Sequence, residues 1–189
     1  QSDIERIENL REALGAEIWL AVDANERYDT GTALAMGNFF QDEIGVGWFE
    51  EPISCENIKG HTYLANKLDI PIAAGEMLFS REEFHNYVEK SALDIAQPDI
   101  TRLGGITNTL KLIHYCESQN IPVSPHLLPE LAVQIGCGLA QVTSVEYMPW
   151  FEQLFNEYPK FKAGKLTPPD GPGLGLTLSE KALHEFSAT

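Results

Sequence analysis

The chain has 189 residues, with 28 Asp and Glu against 13 Lys and Arg, a formal charge of −15. An apolar fraction of 43% with 10% aromatics is a globular composition and excludes general disorder. The acid excess repels phosphate backbones, so nucleic acid is not expected as a partner, whereas cations are attracted.

In chain order, Ser2 and Glu5 form a capping box ahead of Ile4, Ile7, Leu10 and Leu14 at helical spacing, with Gly15 as the stop. Ile18 to Asn25 then reads as a buried strand. The unit recurs in Gly47–Pro52, Pro71–Glu76, Leu93–Asp99, Pro122–His126 and Ser144–Met148, which predicts six strands in all. Helical patterns fill the gaps. Ser80 and Glu83 cap a segment carrying Phe84, Tyr87 and Val88, and Gly105–Gln119 places Ile106, Leu110 and Ile113 on one face. Short strands alternating with helices predict βαβ units and a parallel sheet, either doubly wound or part of a (β/α)8 barrel.

Cys55, Cys116 and Cys137 lie far apart without a paired spacing, which predicts small core residues in a reducing compartment. No apolar run approaches the ~20 residues that span a bilayer. The N-terminal QSDIERIEN lacks signal-peptide character, so a soluble cytoplasmic protein without a membrane partner is the expectation.

The chemistry concentrates where the predicted strands end. Asp23, Glu50, Glu76, Asp99, His126 and Glu146 each close an apolar run, at separations of 27, 26, 23, 27 and 20 residues, one βα unit each. The C-terminal ends of parallel strands are where active sites form in such folds. Three carboxylates on adjacent strand ends repel unless one takes a proton or a cation intervenes. Asp23, Glu50 and Glu76 are therefore the candidate metal ligands, their all-oxygen set suiting Mg2+ or Mn2+. Asp99 beside His126 would hold the imidazole tautomer and raise its basicity, as a general base requires. Spacing leaves Glu146 open between a rim acid and a helix cap. Gly104-Gly105 reads as a tight turn rather than a phosphate cradle, and GPGLGLTL (Gly171–Leu178) as a turn-rich tail. His61, His85, His114 and His184 fall in helical patterns and are expected at the surface.

VDAN, FEEP, AAGE, QPDITRLGG and SPH, in this order, resemble the mandelate racemase branch of the enolase superfamily. The resemblance runs from Ile18 through the PPDGPGLGL tail. It implies an α/β fold, the C-terminal part of a (β/α)8 barrel with about six strands. The first two barrel strands, one bearing a Lys-x-Lys motif, and an N-terminal capping domain would lie outside the chain. Residues 1–164 are expected to form the partial barrel, and residues 165–189 a turn-rich tail with a short helix.

Position by position, the resemblance makes Asp23, Glu50 and Glu76 Mg2+ ligands, and Asp99 with His126 the catalytic dyad. Glu146 becomes the acid that hydrogen-bonds a substrate carboxylate oxygen, Asn25 a substrate contact, and Arg102 a supporting electrostatic group. The later segments look most like acid-sugar dehydratases of the galactarate or talarate type. The implied activity is Mg2+-dependent dehydration of a sugar acid by a homo-oligomer. A racemase or epimerase, and a non-catalytic metal-binding remnant, stand as the alternatives.

Overall fold

The computed structural model describes residues 2–187 and divides between Ala96 and Gln97 into two compact units. The first opens with helix α1 (Asp3–Leu14). Its capping box is complete, with Glu5 N–H donating to Ser2 Oγ at 3.2 Å and Ser2 N–H to Glu5 Oε2 at 3.1 Å. Strands β1 (Ala21–Asp23), β2 (Trp48–Glu50), β3 (Ile72–Ala74) and β4 (Ile95–Ala96) form a parallel sheet in sequential order. Parallel neighbours cannot be joined by a hairpin. Helices α2 (Thr30–Phe39), α3 (Ile58–Ala65) and α4 (Arg81–Glu89) make the crossovers. A π-helical turn, Phe40–Ile44, continues α2.

Every residue of β3 is buried, as an apolar run covered on both faces requires. The helix-side core is built on Phe49, which is fully buried. The Phe40 ring meets it edge-on at 5.1 Å, and Tyr28 lies at 6.3 Å. Ile44, Ile53, Leu64 and Ile72 complete the packing around it. Helix α4 begins in the second predicted capping box, where Glu83 Oε2 accepts the N–H groups of Phe79 and Ser80 at 2.8 Å each.

The second unit contains α5 (Ile106–Ser118), α6 (Pro129–Gly138), an antiparallel hairpin of β5 (Lys160–Lys162) and β6 (Lys165–Thr167), and α7 (Glu180–Phe186). Its core gathers Ile100, Leu103, Leu112, Ile113, Val123, Ala132 and Val133. The predicted glycine turn is present: Gly104 and Gly105 adopt φ of 87° and 100° before α5, a region that favours glycine.

Four of the six predicted strands form ladders, and the last two do not. Pro122–His126 pairs only through isolated parallel bridges, Asp99 with His126 and Val123 with Val142. Pro122 and Pro125 lack N–H donors, so a continuous ladder cannot form there. The partner segment centres on Val142, upstream of the predicted Ser144–Met148 run. The hairpin was not anticipated, although KFK-AG-KLT carries its signals: alternation around Ala163-Gly164, both with positive φ. His61, expected at the surface, is 1% exposed and packs its ring 5.3 Å from that of Tyr87. The helical pattern of α3 marks its position but not the neighbouring helix that covers it.

Replacing Phe49 with Ala removes the ring on which the first core is built. Urea unfolding should show a loss of about 3–5 kcal/mol. Ser80→Ala, which removes one helix cap, should cost about 1 kcal/mol in the same measurement.

Candidate active site: a carboxylate rim and an Asp–His dyad

Parallel pairing sets the carboxylate rim of the first unit. Asp23 and Glu50 are register partners at the ends of β1 and β2, and Glu50 faces Ala73 of β3. Successive side chains alternate across a strand, so register partners share a face. Gly75, at φ 139°, carries the chain out of β3 to deliver Glu76 beyond its end. The three predicted ligands therefore stand at the same ends of three neighbouring strands.

Two further acids join them. Glu51 is only 4% exposed, and its N–H donates to the Ala73 carbonyl at 3.0 Å. Burial, then the charges of Glu76, Glu26, Asp23 and Glu50, push its carboxyl up to about 8. Glu26 lies in the β1–α2 loop, its N–H on the Glu51 carbonyl at 2.8 Å. Five carboxyl groups thus crowd one rim, and a proton on Glu51 relieves part of their repulsion.

The donor set is all oxygen, which fits a hard divalent cation. Among the described residues no three His, Cys, Asp or Glu side chains converge as a ready-made cage. Asp23 is turned onto Asn25, accepting its N–H at 2.7 Å and its Nδ2 at 2.5 Å, and Glu50 Oε2 accepts Trp48 Nε1 at 3.0 Å. Asn25, predicted to touch substrate, sits exposed in the left-handed region at φ 45° and orients Asp23.

The second unit holds the predicted dyad. His126 Nδ1 lies 3.1 Å from Asp99 Oδ2, and both residues are buried. Asp99 Oδ1 accepts Thr101 Oγ1 at 2.7 Å, Thr101 N–H at 2.8 Å and Arg102 N–H at 2.9 Å. Burial works against the charged form. The hydrogen bonds from Thr101, Arg102 and His126 outweigh it and hold the Asp99 carboxyl below its usual range. An ionised Asp99 accepts a hydrogen bond from Nδ1–H, which makes Nε2 the lone-pair nitrogen of a neutral imidazole. Arg102 Nε is 3.9 Å from Asp99 Oδ2, so its charge acts on the dyad.

Glu146 closes on the same turn. Its Oε2 accepts the N–H of Leu127 at 2.6 Å, directly after His126. Leu127 and Leu128 have φ of 51° and 50°. Side chains there cost about 1–3 kcal/mol each and persist only where surroundings enforce them. Glu146 is one such restraint.

Three polar contacts escaped the sequence reading. Glu26 Oε1 accepts the Cys55 N–H at 2.5 Å, Tyr87 donates its hydroxyl to the Cys55 carbonyl at 2.6 Å, and Tyr158 donates to the buried Glu130 at 3.0 Å. Burial and the Glu26 carboxylate push the Cys55 thiol up to about 12. A carboxylate two residues before a tyrosine in a loop (Glu26, Tyr28) carries no periodic signal, and its partner is a backbone N–H, which any residue at position 55 other than proline would offer.

The chain is 38% identical over 95% of its length to the L-talarate/galactarate dehydratase of Salmonella typhimurium, covering 45% of that protein. It is 33% identical over 98% of its length to the arabinonate dehydratase of Saccharolobus solfataricus, covering 52% of it. The chain thus spans about half the length of the curated relatives it matches. Among solved structures, the L-talarate dehydratase of a Polaromonas species, complexed with Mg and L-glucarate, superimposes with a TM-score of 0.87 at 38% identity. That match covers 95% of this chain and 50% of the other. The fold is accordingly part of a (β/α)8 barrel. Residues 1–182 match the enolase C-terminal domain-like model, and with the strand-end acids and the Asp–His pair in the order that the motifs required, the chain belongs to that family.

Proposed function

We propose that this protein serves Mg2+-dependent abstraction of the proton α to a carboxylate, leading to dehydration of a sugar acid to a 2-keto-3-deoxy acid. The observation that carries the reading is the Asp99–His126 pair, at 3.1 Å and buried, with Asp99 held ionised by its own turn. Relatives named as talarate/galactarate and arabinonate dehydratases support dehydration over racemisation.

Asp23, Glu50 and Glu76 are the residues that would hold Mg2+ or Mn2+. Bound there, the cation supplies Lewis-acid polarisation of the substrate carboxylate, acidifying the α-proton. The chain's own groups do the rest. His126 Nε2 takes the α-proton, and Asp99 stabilises the imidazolium that results. Glu146, in its carboxylic-acid form, donates a hydrogen bond to the substrate carboxylate oxygen on which charge develops. The imidazolium returns its proton to the departing β-hydroxyl, which leaves as water while the C2–C3 double bond forms. The resulting enol tautomerises to the keto acid. Asn25 and Arg102 are assigned to substrate contact and to electrostatic support.

Incubation with galactarate and Mg2+ in D2O, followed by NMR, should show a 2-keto-3-deoxy acid. Exchange at C2 without loss of water would instead mean a racemase. The absence of both exchange and product would overturn the reading. His126→Asn should abolish turnover while leaving Mg2+ affinity, measured by titration calorimetry, within about two-fold of the parent, because imidazole is not a ligand in this scheme. Asp23→Asn and Glu50→Gln should each weaken that affinity by at least about ten-fold, since each removes a charged oxygen donor.

A further inference from the structure

Behind the carboxylate rim runs a column of polar contacts that the chemistry above does not use. It starts at Glu26, whose Oε1 accepts the Cys55 N–H at 2.5 Å. The Cys55 carbonyl accepts the Tyr87 hydroxyl at 2.6 Å, and that hydroxyl lies 3.5 Å from His61 Nδ1. His61 Nδ1 is in turn 3.3 Å from the Asn57 carbonyl. Tyr87 and His61 are each 1% exposed, so the inner end of the column is anchored between α3 and α4. Its outer end reaches the loop that follows β1.

The column restrains the segment that leaves β2. Glu51 begins this segment directly after Glu50 closes β2, and Cys55 lies four residues past Glu51. Glu26 grips it at two points, through its N–H on the Glu51 carbonyl at 2.8 Å and through its carboxylate on Cys55. Tyr28 N–H adds a third bond, to the Pro52 carbonyl at 3.2 Å. Glu26 and Glu51 both sit at positive φ, 61° and 37°, which neither side chain favours. Glu26 therefore ties two strained turns, one from each of two neighbouring strand ends, and the tie crosses between the turns that follow Asp23 and Glu50.

We propose that Glu26 is a positioning residue for the cation site, clamping the post-β2 turn through Cys55 so that Glu50 is presented beside Asp23. This rests on the cation reading given above. What the clamp requires of residue 26 is a hydrogen-bond acceptor at the end of a two-carbon stem. Its negative charge is secondary, because Cys55 offers it neutral N–H and S–H donors.

The three cysteines supply the assay. Cys137 is exposed, Cys55 is half-buried beside Glu26, and Cys116 is buried in the second core. A disulfide thiol reagent at mildly alkaline pH should label Cys137 quickly in the native protein and leave Cys55 and Cys116 protected. In Glu26→Ala, Cys55 should become reactive while Cys116 stays protected, and Mg2+ affinity should fall by about 10–100-fold. Glu26→Gln keeps the acceptor and should restore both Cys55 protection and Mg2+ affinity to within a few-fold.

Release of Cys55 with unchanged Mg2+ affinity would overturn the proposal, as would failure of Gln to restore the affinity. Labelling of all three thiols in Glu26→Ala would reduce Glu26 to a general stabilising residue and would equally overturn it. Failure of the parent protein to bind Mg2+ at all is a separate result, which removes the cation reading itself.

Discussion

Parallel register between β1 and β2 is the constraint on which the site depends. Hydrogen bonding places neighbouring strands about 4.8 Å apart, and the register pairs Asp23 with Glu50 at that distance. Carboxylates on neighbouring strand ends repel one another, and Glu76, Glu51 and Glu26 add to the repulsion. The chain's immediate answer is a carboxyl on Glu51 that keeps its proton to about 8. Hydrogen bonds from Asn25 and Trp48 occupy Asp23 and Glu50. A divalent cation answers the same repulsion with a full positive charge, which is why the crowding argues for metal chemistry and against a merely structural cluster.

Holding such a rim costs conformational strain, and the structure places its restraints accordingly. Asn25, Glu26 and Glu51 all adopt positive φ next to the carboxylates, as do Leu127 and Leu128 next to His126. In the first unit the restraint is the Glu26–Cys55–Tyr87 column, anchored in the helix layer. In the second it is Glu146 on the Leu127 amide. Each strained turn thus carries a carboxylate on a backbone N–H.

The dyad follows a different logic. Asp99 is buried, which on its own would favour the neutral acid, yet four hydrogen bonds converge on it and hold it ionised. Three come from the turn that Asp99 itself begins, so the sequence D-I-T-R builds its own anion site. The other oxygen, Oδ2, meets His126 Nδ1 at 3.1 Å and lies 3.9 Å from Arg102 Nε, which fixes the orientation of the imidazole.

What was legible in the sequence was whatever repeats along the chain. The strand-end acids recur once per βα unit, the two capping boxes are local four-residue patterns, and the motifs run in a family order. Within the first unit they put Asp23, Glu50 and Glu76 at successive strand ends, because a parallel sheet maps chain position onto position along its rim. The tertiary structure alone decided matters that depend on what lies opposite. It buried His61 against Tyr87, reduced the proline-bearing segment at Pro122–His126 to single bridges, formed the hairpin around Ala163-Gly164, and set Glu26 against Cys55, 29 residues away. Periodicity reports which face of an element is apolar. It carries no information on which distant backbone amide a loop carboxylate will meet, because that pairing is settled only when the strands are in register.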